Sequence, residues 1–126
     1  MKNSEYREKL IKRIYNFSLA VVLLVKEIML KDYATQVIAK QLIRSATSIG
    51  ANVTEAQASP TRKDFSNFIS HALKSSNETR YWIALLRDSI PDNNRKIPNL
   101  LLEAQEISKI LGSTIRSLRS RKSLID

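Results

Sequence analysis

The chain of 126 residues and 14.4 kDa fits one domain and is too short for two ordinary ones. Its 43% hydrophobic and 26% charged residues exclude wholesale disorder, and only 2 Gly and 3 Pro leave too few turn residues for an all-β sandwich or barrel. With 21 Lys and Arg against 12 Asp and Glu the net charge is +9, which points to a polyanionic partner, while the lack of cysteine excludes disulfides, thiolate catalysis and Cys-based metal sites.

The first helix is expected over about residues 5–31, because Leu10, Ile14, Phe17, Val21, Leu24 and Ile28 recur at alternating steps of four and three. Its longest apolar run, residues 19–25, falls short of the roughly 20 residues a membrane span needs. The stretch before it lacks the apolar segment and cleavage site of a secretory signal. A soluble, cytoplasmic protein is therefore expected.

A weak break at Lys31, Asp32 and Tyr33 precedes a second helix over 34–57, with Ile38, Leu42, Ser45, Ile49 and Ala56 on one stripe. Gly50 inside it costs about 1 kcal/mol relative to Ala, a cost that suggests close approach by another helix. Pro60 closes the run, since the residue before a proline is pushed out of the α region. Thr61 and Asp64 resemble a capping box and start the third helix, over 62–89. Its expected seam is Phe65, Phe68, Ala72, Ser75, Thr79, Trp82 and Leu86, with small polar residues in the middle. A loop bounded by Pro91 and Pro98 leads to the fourth helix, over 98–119, on which Leu100, Ala104, Ile107, Leu111, Thr114 and Leu118 align. A flexible basic tail is expected beyond it. Four such helices with short connections predict an all-α, antiparallel up-down-up-down four-helix bundle.

Catalytic patterns are sparse. There is no Gly-rich phosphate loop, G-x-S-x-G or H-E-x-x-H, and the single histidine, His71, has no second histidine to complete a zinc site. The Glu-x-x-His pairs of di-iron bundles are also missing, because Ala58 follows Glu55 and Tyr81 follows Glu78 at that spacing. No enzyme activity, metal or cofactor is expected. Arg44, Ser48, Asn52 and Glu55 share one face of the second helix, and Ser75 and Glu78 lie beside the seam of the third. Together these six predict a partly buried polar network that fixes helix register, in which Arg44→Ala would cost about 3 kcal/mol or more.

These residues carry a family likeness. Arg44, Ser48, Ile49, Asn52, Val53 and Glu55 resemble the R-x-x-x-S-I-x-x-N-I-x-E-G signature of the bacterial four-helix proteins encoded by intervening sequences of 23S rRNA genes, with Ala56 where that family usually has glycine. Phe65, Phe68, Ala72, Ser75 and Glu78 are similar to its second conserved segment. The resemblance implies a small cytoplasmic bundle, often a ring-like homopentamer, with no established catalytic residues. That family in turn resembles the basic accessory proteins of diversity-generating retroelements, which implies association with nucleic acid and a reverse transcriptase.

Charge supports the same direction, since the basic excess sits at the two ends of the chain. The expected phosphate contacts are Lys9, Lys12 and Arg13 on the first helix, and Arg116, Arg119, Arg121 and Lys122 at the C-terminal end. Tyr6 and Tyr15 are candidates for interface packing or for stacking on bases. A second reading is a protein-interaction scaffold that docks an acidic or RNA-bearing partner and has little affinity for free nucleic acid.

Overall fold

The computed structural model describes residues 2–90 and 95–125, with side chains over 4–90 and 95–120. Four helices follow one another, α1 (Lys2–Ile28), α2 (Tyr33–Gln57), α3 (Arg62–Ser89) and α4 (Lys96–Ile125). Each helix packs on its chain neighbour, and α4 closes the bundle against α1 through a thinner contact. This is the antiparallel four-helix bundle that the periodicity predicts.

Local chemistry sets the ends. Asp32 is the N-cap of α2: one carboxylate oxygen accepts from the Thr35 backbone N–H at 2.8 Å, and the other from the Thr35 hydroxyl at 3.1 Å. The residues just before that cap form a turn, so α1 ends at Ile28, three residues before the position its periodicity suggests. Thr61 caps α3 as the sequence indicates, its hydroxyl accepting from the Asp64 N–H at 3.0 Å. Ile90, which precedes Pro91, takes the extended conformation that a following proline demands. The basic C-terminal end departs from the expected tail. Its backbone stays helical to Ile125, because after Gly112 the sequence offers neither glycine nor proline to stop it.

The core is built mainly of branched aliphatic side chains, with Ile14, Val21, Leu24, Leu42, Ile49, Ile83, Leu86, Ile107 and Leu111 almost wholly buried. The buried line of α3 keeps Ala72, Thr79 and Leu86 of the expected seam but takes Ile69, Ser76, Ile83 and Ile90, each one residue on, in place of Phe68, Ser75, Trp82 and the position beyond. It runs through Ile69, Ala72, Ser76, Thr79, Ile83, Leu86 and Ile90, again in steps of three and four. Phe65, Phe68 and Trp82 flank this line half-buried, packed against the core from its edge. Gly50 faces α1, yet an added Cβ would meet Ile14 and Ser18 at 3.4 and 3.5 Å, ordinary contact distances, so the approach does not require glycine.

The Asp32 cap makes a pH prediction. The Thr35 N–H and hydroxyl hold its carboxyl below the usual carboxylate range. Its stabilising effect is therefore complete above the unfolded pKa of about 3.9 and is lost as pH falls through the lower folded value. Asp32→Asn keeps a capping acceptor but cannot titrate, so its Tm should fall less than the parent's between neutral and acid pH. Parallel Tm profiles would remove this role.

Candidate nucleic-acid interface

The middle stretches of α3 and α4 bring cations together that are far apart in sequence. Lys109 and Arg116 lie on one face of α4 on either side of Gly112, and the antiparallel neighbour α3 adds Arg80. Together with Leu73, Asn77, Gln105 and Ser108 they line an open groove of about 380 Å³. Gly112 leaves its floor bare, and an added Cβ there would lie 3.5 Å from an Arg116 guanidinium nitrogen. Arg80 reaches Asn77 at 3.4 Å and Lys109 reaches Glu106 at 3.2 Å, both exposed contacts that water and phosphate can displace. The groove therefore offers three cations with two amide side chains beside them, a surface whose charge suits backbone phosphates.

The expected cations divide. Lys9 and Lys12 are exposed on α1, and Arg116 and Arg119 are exposed on α4. Arg13 is already occupied, because its guanidinium forms two parallel bonds to the Glu103 carboxylate, at 2.6 and 2.8 Å, tying α1 to α4. That bond and the nearby Glu106 hold its pKa above the ordinary arginine value, and its role is helix pairing rather than phosphate contact. The side chains of Arg121 and Lys122 lie outside the described residues. Arg80 and Lys109 were missed by sequence reasoning. The spacing of Lys109 to Arg116 was visible, but Arg80 joins them only through the register of α3 against α4.

The polar network is present in an altered form. Ser75 donates to the Ser48 hydroxyl at 2.9 Å across the α2–α3 interface, and the Asn52 amide bonds to both the carbonyl and the hydroxyl of Ser48 at 2.9 and 3.1 Å. Arg44 pairs with Glu78 at 2.8 Å, and Glu78 also accepts from the Trp82 indole at 3.1 Å. The Arg44 side chain is 65% exposed, so this pair is a surface bridge rather than a buried one. Glu55 takes no part. It lies exposed near the end of α2, and among the described residues its carboxylate has no hydrogen-bond or ion-pair partner.

The buried polar layer uses different residues. Thr79 lies 3.0 Å from the Ser45 hydroxyl and donates to the Ser75 carbonyl at 2.7 Å. On the other flank of α3, the Ser76 and Ser108 hydroxyls are 2.5 Å apart. His71 is exposed on α3, and among the described residues no three His, Asp or Glu side chains gather as a metal site. No helix among those residues is long and apolar enough to cross a membrane.

Comparison with known proteins gives a consistent relation. A family model described as 23S rRNA-intervening sequence protein matches residues 8–113. The chain is similar to a crystal structure from Bacteroides thetaiotaomicron VPI-5482, a protein of unknown function from the S23 ribosomal protein family. The two share 34% sequence identity and a TM-score of 0.76, over 84% of this chain and 97% of that one. No curated protein matches significantly.

The exposure of the Arg44–Glu78 pair changes the expected energetics. Arg44→Ala should cost no more than about 1 kcal/mol, because Glu78 keeps its contact with Trp82 and access to water. Denaturant unfolding of the two proteins measures this. A loss of about 3 kcal/mol would restore the buried-network reading.

Proposed function

This chain belongs to the 23S rRNA-intervening sequence protein family, and we propose that it is a non-enzymatic, oligomeric, basic bundle that associates with RNA or DNA through backbone phosphates. The observation that carries this reading is the groove where Arg80, Lys109 and Arg116 meet on a chain of net charge +9. Phosphates displace condensed counterions when they meet such a surface, which supplies affinity without sequence preference. Arg119 lies one turn beyond Arg116 on α4, and Lys9 and Lys12 add exposed cations on α1.

Self-association is supported by α1. Tyr15, Leu19 and Leu23 form an exposed stripe at helical spacing, 65%, 45% and 51% accessible, on the helix that is tied least to the rest of the bundle. A homo-oligomer, five-membered as the family resemblance implies, would cover that stripe and repeat the cationic groove around one assembly, multiplying its affinity. A cytoplasmic setting and a reverse-transcriptase partner belong to the same reading.

The test is binding to labelled structured RNA and duplex DNA from about 50 to 200 mM salt, with the solution mass measured in parallel. Affinity should fall steeply with salt. Replacing Arg80, Lys109 and Arg116 together by Ala should weaken binding and reduce the logarithmic salt slope by about 2 to 3 per binding copy. Absence of binding at low salt would contradict the proposal and favour a scaffold that docks a protein.

A further inference from the structure

A second opening lies at the end of the bundle where α1 begins and α4 finishes. It is a cleft of about 660 Å³, a volume typical of small-molecule sites, and it reaches the core at Ile69 and Leu111. Its mouth carries different chemistry from its floor. The Arg7 guanidinium lies 6.0 Å above the centre of the Phe65 ring, and Tyr6, 57% exposed, stands on the preceding position of α1. Arg62 bridges α3 to α4 by donating to the Leu118 carbonyl at 2.9 Å, which uses one of the five N–H groups of its guanidinium. Among the described residues no carboxylate lines the cleft, while Gln57, whose amide donates to the Val53 carbonyl at 3.0 Å, and Thr114, whose hydroxyl donates to the Ile110 carbonyl at 2.9 Å, keep oxygens that can accept.

We propose that this cleft takes one unpaired nucleotide of a bound nucleic-acid strand. The inference rests on the phosphate-binding reading above and names a second contact for the same ligand. The fit is chemical. A nucleobase is flat and partly apolar, so it can cover the half-buried Leu10 and Leu118 in the cleft wall and stack on Tyr6 or on the Arg7 plane already supported by Phe65. Its phosphate is anionic and would meet Arg7 and Arg62 with no carboxylate to repel it. Its exocyclic groups find Gln57 and Thr114. A base inside a duplex is stacked and paired, so the cleft admits only a nucleotide from an overhang, loop or bulge. The cationic groove of α3 and α4 and the end cleft thus divide the work, one holding duplex phosphates and the other a single-stranded end.

The experiment compares a blunt RNA duplex with the same duplex bearing a short 3′ overhang, for the parent protein, Tyr6→Ala and Phe65→Leu, with helicity checked by circular dichroism. The overhang should raise parental affinity about tenfold. Both variants should lose that gain while binding the blunt duplex as the parent does. Equal affinity for the two duplexes in the parent, or a gain that survives both substitutions, would overturn the cleft proposal while leaving the groove intact. A parallel NMR titration with adenosine monophosphate tests the cleft directly, whether or not either duplex binds. Shifts at Leu10, Phe65, Ile69 and Leu111 support the proposal. An absence of such shifts, or the same shifts caused only by raising the protein concentration, overturns it, the latter in favour of a second copy as the occupant.

Discussion

Hydroxyl groups in an apolar core must find partners, and this requirement governs how α3 sits between its neighbours. Thr79 meets Ser45 on α2, and Ser76 meets Ser108 on α4, so two buried pairs face opposite flanks of one helix. Sliding α4 by one turn would take Ser108 away from Ser76, while Thr79 and Ser45 each also reach a carbonyl of their own helix, so the α4 side sets the register more strictly. A purely aliphatic seam would tolerate several registers. Among the described residues, every buried side-chain nitrogen and oxygen has a partner. Aliphatic burial supplies the drive to fold, and the hydroxyl layer selects one alignment.

That alignment decides the surface. Arg80 reaches the groove beside Lys109 and Arg116 because Ser76, one turn before it, is paired with Ser108, one residue before Lys109. By contrast, α1 is attached mainly through its contact with α2, helped on the α4 side by Arg13 with Glu103 and at the far end by Glu27 with Lys96. Both ties are exposed ion pairs and contribute modestly. A helix held in this way, with Tyr15, Leu19 and Leu23 facing outward, gains from a further surface to pack against.

Much of the fold was legible in the sequence, since apolar spacing of three and four marks each helix and Thr61, Pro60 and Pro91 mark the turns. The seam of α3 was less so. Hydrophobicity favours Phe65, Phe68 and Trp82 as core residues, but which of two adjacent stripes faces inward depends on how α3 is rotated against α2 and α4, which a one-helix pattern does not contain. The polar network was half legible for the same reason. Ser48, Asn52 and Ser75 come together as their spacing implies, while the exposure of Arg44 and the detachment of Glu55 depend on how α2 is rotated. Of the cations, Arg116 is in a shared groove, and Arg13 proved to be committed to Glu103, a partner 90 positions away.

The claim that buried hydroxyl pairs fix the register is tested most directly by a double-mutant cycle at Ser76 and Ser108, with each replaced by Ala singly and together and stability read from denaturant unfolding. The account predicts a coupling of about 1 kcal/mol, because Ser76→Ala strips Ser108 of its partner, Ser108→Ala leaves Ser76 only the longer 3.5 Å contact to the Ala104 carbonyl, and the double change removes both hydroxyls. Strict additivity, with two independent losses, would contradict it and leave aliphatic packing alone as the determinant of alignment.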